Sequence, residues 1–556
     1  IVNGGLTYTY DTAGRRTAMS AGNGTATFAN AACTYDAMGR IATVGNSADT
    51  LTYSYVPGTG MIASSSWQTA TVNTAYTYDS YKRLTNIAVN SANVYGYTLN
   101  DKNQRTGATL PDGRTWSYSY DTLGQLTGAV KRDSANTQLA DLSYLYDQIG
   151  NRTSATENNT TTTYTSNLVN QYTQIASQVP TYDTDGNMTS YNGWTYTWNG
   201  ENRLVAAENS DTRLEFSYDY MGRRLEKKVY SKGLLTLYDW SLEKHRKFVY
   251  DGYKLIAEFD ALASDTQLAS YLWQPETAGL DVPLMRIADN TRTYYIADGN
   301  KNIIALKDSS GADVSTYAYT PFGSLENPVD GDENPFRFSS EYADDETGLV
   351  YYNYRYYSPQ LGRWTKRDPI EEQGGENLYG FLSNVSVNTY DYLGLYSMEQ
   401  RADGTYTIDV EKCEIVLFDG HGSDERFNTF RFNTTCSAAG FTGCYAKQNN
   451  EKIPKNGRLP YYPQDTGEIE SRSEAKKAQR KLLAAAILKK AQSFYFGSIK
   501  NGKRVGCCKT VNIFVVSNMS SLWEGDRSAS YTYDCNTGMT KLNSGTNPIS
   551  SFLKAK

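Results

Sequence analysis

Histidine is nearly absent from this sequence, with two residues among 556, and cysteine is scarce, with seven. No uninterrupted apolar run reaches the roughly 18 residues that a membrane-crossing helix needs. Paired CxxC motifs, HxE with CxxC, HExxH and the phosphate-binding P-loop are also missing. Zinc deaminases, zinc proteases and Walker-type nucleotide-binding proteins depend on these patterns, so the sequence gives these classes no support.

The start of the chain lacks an initiator methionine. Ile1-Val2-Asn3-Gly4 shows neither the basic nor the apolar region of a signal peptide. Because the chain opens inside a repeating pattern, we expect a fragment or a processed product, with part of the repeat structure lying upstream.

Tyrosine is the abundant aromatic residue, with 47 tyrosines against 17 phenylalanines, and it is accompanied by 45 glycines. Tyrosine has high strand propensity and an amphipathic ring that suits half-buried sheet surfaces. Glycine supplies the turns. The composition therefore predicts a repetitive, β-rich protein.

Charge, cysteine and tyrosine all change in distribution after Leu395. Residues 396–556 hold 23 Lys+Arg and 16 Asp+Glu, a net charge of +7, whereas the preceding part carries −13. Six of the seven cysteines and 8 of the 47 tyrosines lie after Leu395. The chain therefore divides into an acidic, Tyr-rich part and a basic, Cys-bearing part. The six cysteines allow 15 disulfide connectivities or could stay reduced.

One sequence motif recurs along the first part: a predicted strand, then Tyr-Asp, two further residues and Gly, often followed by Arg. Many neighbouring copies, degenerate ones included, lie about 16–26 residues apart, which indicates a repeat architecture. The clear copies are Tyr10-Asp11 with Gly14-Arg15, Tyr35-Asp36 with Gly39-Arg40, Tyr120-Asp121 with Gly124, Tyr146-Asp147 with Gly150, Tyr182-Asp183 with Gly186, and Tyr218-Asp219 with Gly222-Arg223.

Each copy predicts a β-hairpin. Leu214-Glu215-Phe216-Ser217-Tyr218 alternates with period two, as in a strand with one buried face. The Asp side chain can accept hydrogen bonds from turn amides, and Gly supplies a positive φ. Single hairpins are marginal, so neighbours must stack into a long sheet that winds on itself.

A specific aromatic segment follows the repeats: Gly348-Leu349-Val350-Tyr351-Tyr352-Asn353-Tyr354-Arg355-Tyr356-Tyr357-Ser358-Pro359, then Gly362-Arg363-Trp364, Arg367-Asp368-Pro369 and Asn377-Leu378-Tyr379. With the ordered Tyr-Asp series, it resembles the RHS/YD-repeat family of polymorphic toxins over roughly residues 1–395. The resemblance implies a mainly β fold: a β-spiral wound into a hollow cocoon, followed by a small α+β toxin domain. The implied domains are a shell over 1–335, a core-associated segment over 336–395 and a toxin over 396–556.

The resemblance also implies an aspartic-type autoprotease at the seam between shell and toxin. Its carboxylates would be Asp368 and Asp391, Arg367 could support one of them, and the cut would fall at the Leu395–Tyr396 bond. Two carboxylates that share a proton can activate water and protonate the leaving group. The alternative is that both aspartates are turn residues. The family usually has Pro after the second Asp, where this chain has Tyr392, and a looser backbone there would reduce cleavage.

The last 161 residues predict an α+β domain. Strands are expected over 414–418 and 511–516, and a helix with a basic face over 473–494. His421 and Asp419 lie at the end of the first strand, between glycines, and are the candidate catalytic residues of the toxin. His421 could also simply cap a turn.

Two unrelated families share the phrase Phe418-Asp419-Gly420-His421-Gly422. It is similar to metal-dependent serine/threonine phosphatases, although a full set of later metal aspartates is missing. It is also similar to caspase-like peptidases, although the strand over 511–516 runs into Ser517 rather than Cys. The basic helix face fits a phosphate-rich target or an anionic membrane, and an ordinary solvated face needs no function.

The sequence thus predicts a secreted bacterial effector, of the kind delivered by type VI secretion or a similar route, whose toxin is released by self-cleavage into a rival or host cell. A nuclease is the first expectation, with a Cys/His peptidase, a phosphatase-like enzyme or a membrane-active domain as alternatives. No cofactor is expected for the shell, whereas the toxin could use a divalent metal. Implied partners are an immunity protein, delivery machinery and a nucleic acid. A non-enzymatic adhesion or wall-associated repeat protein is the alternative class.

Overall fold

A computed structural model describes residues 4–232, 239–275, 281–327 and 331–398, together with the strands that lie between residues 412 and 544. The chain divides into two compact units, Ile1–Pro369 with Asn377–Tyr406 and Ile370–Glu376 with Thr407–Lys556. The predicted mainly β fold is confirmed, and nearly all pairing is antiparallel.

The first unit begins with a 16-stranded meander in which every strand pairs with its neighbours in sequence. Its strands are β1 (Gly5–Tyr10), β2 (Arg16–Gly22), β3 (Thr27–Tyr35), β4 (Ile41–Gly45), β5 (Thr50–Tyr55), β6 (Ile62–Trp67), β7 (Asn73–Tyr78), β8 (Leu84–Val89), β9 (Ala92–Leu99), β10 (Arg105–Thr109), β11 (Thr115–Tyr120), β12 (Leu126–Arg132), β13 (Gln138–Tyr146), β14 (Arg152–Glu157), β15 (Thr160–Ser166) and β16 (Tyr172–Ile175).

A second meander of 13 strands continues the same pattern. It comprises β17 (Thr181–Tyr182), β18 (Met188–Tyr191), β19 (Trp194–Trp198), β20 (Leu204–Glu208), β21 (Thr212–Tyr218), β22 (Arg224–Lys232), β23 (Trp240–Asp251), β24 (Lys254–Asp260), β25 (Thr266–Trp273), β26 (Pro283–Ala288), β27 (Thr291–Ala297), β28 (Ile303–Lys307) and β29 (Asp313–Thr316).

The Tyr-Asp turns fold as the sequence predicts. Asp36 Oδ1 accepts the N–H groups of Met38 and Arg40 at 2.9 Å each, and Gly39 has φ +79°. The Arg40 guanidinium forms an ion pair with the same carboxylate, with Nη2 2.6 Å from Asp36 Oδ2. In degenerate copies the glycine position is taken by residues such as Asn202, with φ +56°. Asparagine adopts a positive φ more readily than most residues, so the turn can form without glycine at this position.

The repeated tyrosine has a second role that the sequence did not reveal. Its hydroxyl donates to a backbone carbonyl of the preceding hairpin: Tyr35 to Arg16 at 2.7 Å and Tyr78 to Ile62 at 2.8 Å. The ring fills the half-buried face while the hydroxyl satisfies a carbonyl, which phenylalanine could not do. This explains the excess of tyrosine over phenylalanine.

The two meanders share an apolar core. Val44 and Trp67 of the first pack with Met285, Tyr294 and Ile296 of the second. The rings of Trp67 and Tyr294 meet edge to face, with centroids 4.8 Å apart. Long-range burial of this kind supplies the stability that single hairpins lack.

The aromatic segment forms a small four-stranded sheet of β30 (Tyr342–Asp344), β31 (Leu349–Tyr351), β32 (Tyr356–Ser358) and β33 (Arg363–Trp364). The 3-10 turns Phe338–Ser340 and Leu382–Asn384 belong to the same unit as this sheet, whereas the 3-10 turn Glu371–Gly374 belongs to the second unit. Tyr352, Tyr357, Trp364 and Phe381 make a buried aromatic cluster beneath the chain that leads to β34 (Tyr390–Tyr392) and β35 (Tyr396–Met398).

The second unit contains a six-stranded mixed sheet in the order β38-β37-β36-β41-β42-β43. These strands are β36 (Lys412–Gly420), β37 (Phe427–Ser437), β38 (Asn449–Pro454), β41 (Thr510–Val516), β42 (Ser528–Asp534) and β43 (Thr540–Ser544), with the short pair β39 (Ile499–Lys500) and β40 (Lys503–Arg504) apart from them. The strands predicted over 414–418 and 511–516 lie within β36 and β41, which pair in parallel. The register places Cys413 opposite Cys436. The predicted helix over 473–494 lies outside the described residues.

Candidate active site

The predicted cleavage bond lies at the end of a short hairpin. β34 pairs with β35, with Tyr392 opposite Tyr396, and Leu393, Gly394 and Leu395 form the connection. Leu393 and Gly394 have positive φ angles of 64° and 73°. The Leu395–Tyr396 bond therefore joins the last turn residue to the first residue of β35. We call residues 386–396 the seam segment.

The turn of this hairpin lies against the aromatic segment. A Cβ on Gly394 would lie 3.1 Å from Tyr352 Cβ and 3.2 Å from the backbone nitrogen of Arg355. The Leu393 carbonyl accepts the N–H of Tyr354 at 3.1 Å. Glycine is needed at position 394 both for its φ and for this close approach.

The two predicted aspartates share one arginine. Arg355 Nη1 lies 2.7 Å from Asp368 Oδ2, and Arg355 Nη2 lies 3.4 Å from Asp391 Oδ2. The three side chains are between 2% and 5% exposed. Arg355 Nε also donates to the Gly394 carbonyl, and Trp364 lies beneath the guanidinium at 4.1 Å from its ring centroid. One buried cation thus joins both carboxylates to the turn before the predicted cut.

Local backbone contacts hold Asp368 in place. Its N–H donates to the Leu378 carbonyl at 2.8 Å, and the N–H of Trp364 donates to the Tyr379 carbonyl at 3.0 Å. The stretch over 364–368 therefore runs beside the Asn377-Leu378-Tyr379 phrase of the sequence. These two hydrogen bonds bring the two sequence motifs side by side.

Asp391 lies closest to the predicted cut. Its Oδ1 accepts the N–H of Leu395 at 2.8 Å. Burial raises the pKa of Asp391 to about 7, against the lowering effect of Arg355 and with a further raising effect of the Asp368 charge. Asp368 instead makes the closer contact with the Arg355 guanidinium, at 2.7 Å against 3.4 Å for Asp391. The two carboxyls therefore lie in different environments, Asp368 against the cation and Asp391 against the N–H of Leu395.

Further ionisable groups surround the pair. Burial raises the pKa of Glu341 to about 8, opposed by Lys301 and raised further by the charges of Asp281 and Asp391. Burial and the charge of Arg355 lower the pKa of Lys366 to about 7. The carboxyl pair is therefore electrostatically coupled to several neighbouring groups.

Arg355 is the residue of this candidate site that sequence reasoning missed. The Arg367 guanidinium lies against Tyr379 and the Gly186 turn, and its predicted support of a carboxylate stays a prediction. Arg355 lies between two tyrosines, in Tyr354-Arg355-Tyr356. A charged residue within an aromatic stretch that is expected to be buried must have a partner, and this was the sequence signal that could have identified it.

The predicted toxin residues are only partly described. Asp419 is the penultimate residue of β36, at the carboxyl end of a strand that pairs in parallel with β41. His421 lies outside the described residues, so the proximity of these two side chains stays a prediction.

The described part of the chain lacks two kinds of feature. It contains no group of three or more His, Cys, Asp or Glu side chains arranged to hold a metal ion. It also contains no helix of the length and apolarity needed to cross a bilayer. A divalent metal in the toxin stays a prediction.

Tandem Tyr-Asp hairpins followed by an aromatic segment and a buried aspartate pair define a YD-repeat shell protein. The family model of the Teneurin YD-shell matches residues 6–131 and 115–392, and the chain belongs to this family. The predicted kinship with RHS/YD-repeat polymorphic toxins is confirmed by its toxin relatives.

Two curated relatives and one solved structure illustrate this kinship. The tRNA(Glu)-specific nuclease WapA of Bacillus subtilis subsp. natto is 27% identical over 286 residues, which cover 50% of this chain and 11% of the relative. The double-stranded DNA deaminase toxin A of Burkholderia cenocepacia is 27% identical over 249 residues, which cover 39% of this chain and 17% of the relative. The crystal structure of TcdB2-TccC3-Cdc42 shares the fold, with a TM-score of 0.53 and 20% identity over 71% of this chain and 24% of that chain. The chain spans less than a fifth of the length of both curated relatives.

Proposed function

We propose that this chain is the shell and toxin part of an RHS effector, and that the shell cuts the Leu395–Tyr396 bond to release residues 396–556. The observation that carries the proposal is the buried Arg355, which contacts both Asp368 and Asp391 while Asp391 holds the N–H of Leu395. A pair of turn aspartates would need neither burial nor a shared guanidinium.

The proposed reaction is hydrolysis by a carboxyl pair. Asp368, held as an anion, takes a proton from a water molecule whose oxygen attacks the Leu395 carbonyl carbon. The carbonyl oxygen becomes an oxyanion, and Asp391, which keeps a proton near neutral pH, gives that proton to the departing nitrogen of Tyr396. The C–N bond breaks, leaving an amine on Tyr396 and a carboxyl group on Leu395 whose proton passes to the Asp391 carboxylate.

Two features favour this reaction within one molecule. The peptide is already bound next to Asp391, so no substrate has to be captured from solution. The site is buried, so the fixed charge of Arg355 stabilises a developing oxyanion more strongly than it would in water.

The released toxin is proposed to be a nuclease. Its net charge of +7 suits a phosphate-rich target, and the WapA relative is a tRNA nuclease by name. His421 would transfer protons, and Asp419 would orient it or bind a divalent metal. An immunity protein, a secretion route and delivery into a rival or host cell follow from this proposal.

Cell-free translation followed by a chase tests the cleavage, because it yields uncut full-length chain at time zero. We expect wild type to produce a fragment that begins at Tyr396, and Asp391→Asn or Asp368→Asn to remain uncut. Asp344→Asn is the matched control, since Asp344 is equally buried and pairs with Arg224 and Lys227 elsewhere in the shell. Cleavage of either active-site variant at the wild-type rate would overturn the proposal.

The toxin assay uses the self-cleaved wild-type preparation on tRNA and on double-stranded DNA, with and without a metal chelator. We expect degradation of one substrate, lost in His421→Ala and Asp419→Ala. Intact nucleic acid with release of liposome contents would identify a membrane-active toxin instead.

A further inference from the structure

One turn of the repeat series differs from the others in its burial. In Asp36–Arg40 the three middle residues are exposed, as in most Tyr-Asp turns of the first meander. In the turn over 298–302, between β27 and β28, all five residues are buried. We call residues 298–302 the inner turn.

The inner turn lies beneath the seam segment and is bonded to it. Asn300 Nδ2 donates to the carbonyl of Ser386 at 2.8 Å and to the carbonyl of Thr389 at 2.9 Å. Its Oδ1 accepts Arg105 Nη1 at 3.2 Å. A single amide therefore uses both of its donors on the backbone that leads into Asp391.

Arg105 reinforces the same contact from the first meander. Its Nη1 donates to the carbonyl of Val387 at 2.6 Å, and its backbone N–H donates to Asn388 Oδ1 at 2.8 Å. Its Nη2 donates to the Gly299 carbonyl at 2.9 Å. The seam segment is thus bonded to both large sheets just before Asp391.

The inner turn also reaches the residue next to Asp391. Lys301 Nζ lies 5.0 Å from the centroid of the Tyr390 ring and 3.9 Å from Glu341 Oε1. The inner turn is also tightly packed at Gly299. Position 299 has no space for a side chain, because a Cβ there would lie 2.8 Å from Leu84 Cδ2 and 3.0 Å from Arg105 Nη2.

We infer that the inner turn is the cradle that seats the seam segment for cleavage, with Asn300 as its positioning residue. This inference rests on the proposed self-cleavage. Asn300 does not contact the carboxyl pair; it fixes the carbonyls of Ser386 and Thr389, five and two residues before Asp391. Without those bonds the segment can move, and Asp391 leaves the geometry that places it beside Arg355 and Leu395. A displacement of about 1 Å can slow such a reaction by orders of magnitude.

The test compares first-order cleavage rates of full-length chains in the cell-free chase. We expect Asn300→Ala to be cut at least about tenfold more slowly than wild type. Asn300→Asp keeps the size of the side chain and can still contact Arg105, but its carboxylate cannot donate to either carbonyl, so it should be as slow.

Asn334→Ala is the matched control. Asn334 is also buried and donates to a backbone carbonyl, that of Phe336 at 2.7 Å, but it lies away from the seam segment. We expect it to be cut within about twofold of the wild-type rate, and protease resistance of the shell verifies that each variant is folded.

A pH profile separates positioning from general destabilisation. Arg355, Asp368 and Glu341 face Asp391, and burial among them raises its pKa. If the seam segment loosens, water reaches Asp391 and the pKa of its carboxyl falls. The decrease in cleavage rate that accompanies loss of the Asp391 proton should therefore occur at lower pH in Asn300→Ala than in wild type.

The outcomes distinguish the two proposals. Asn300→Ala at the wild-type rate, or Asn334→Ala as slow as Asn300→Ala, overturns the cradle while leaving the Asp391-dependent cut intact. An uncut wild-type chain, or a cut that survives Asp391→Asn, overturns the proposed self-cleavage itself.

Discussion

At the scale of single residues, the protonation of Asp391 determines the pH range of the proposed cleavage. Burial raises its pKa to about 7, so the proton needed for the leaving group is held below that pH and lost above it. We therefore expect the cleavage rate to fall as pH rises through about 7. A chase at a series of pH values measures this, and a rate that keeps rising between about pH 6 and 9 would contradict it.

A second residue-scale prediction concerns the two arginines of the core-associated segment. Arg355→Gln removes the cation 2.7 Å from Asp368 and the bond to Gly394, so we expect cleavage to slow by about a hundredfold or more. Arg367→Gln is the comparison, because that guanidinium lies against Tyr379, and we expect it to retain most of the rate. Equal effects of the two changes in folded protein would argue against the assignment of Arg355.

At the scale of elements, the hairpin is the repeating unit of the fold. The hydroxyl of its tyrosine donates a hydrogen bond to the preceding hairpin, and this hydrogen bond recurs along the chain. Tyr78→Phe deletes the donor to the Ile62 carbonyl, which should lower the free energy of unfolding by about 1 kcal/mol. Tyr10→Phe, at a largely exposed position, should change it by less than about 0.5 kcal/mol. Denaturant unfolding of the full chain compares the two, and equal losses would remove the proposed reason for the tyrosine excess.

The seam hairpin makes a prediction of its own. Gly394→Ala places a Cβ about 3 Å from Tyr352 and Arg355 at a φ of +73°, so the turn must shift away from the carboxyl pair. We expect slower cleavage with little change in shell stability. Gly58→Ala is a control for the φ cost alone, since Gly58 has the same φ and open space around it.

The sequence predicted the elements better than the site. The Tyr-Asp hairpins could be predicted because Asp, Gly and alternating residues act within a few positions of one another. Arg355 and Asn300 could not, because each contacts residues far along the chain: Arg355 lies 36 residues before Asp391, and Asn300 lies 86 residues before Ser386. Asn300 occupies a degenerate copy, in which Ala297 precedes Asp298 and Lys301 takes the glycine position, and the sequence does not show that this turn is buried.

At the scale of the whole molecule, the two parts identified by composition have different chemistry. The shell part is acidic and built from one repeated hairpin, whereas the part after Leu395 is basic and carries six of the seven cysteines. Under the proposed function, the shell performs the cut and the second part acts on the target. The boundary at Leu395 stays a prediction, since it depends on the cut itself.

The measurement that tests this account most directly is the denatured mass of the purified full chain beside Asp391→Asn. We predict two polypeptides for wild type, the smaller beginning at Tyr396, and one polypeptide of 62.0 kDa for the variant. A single uncut chain for both proteins would contradict the self-cleaving shell and favour a structural repeat protein.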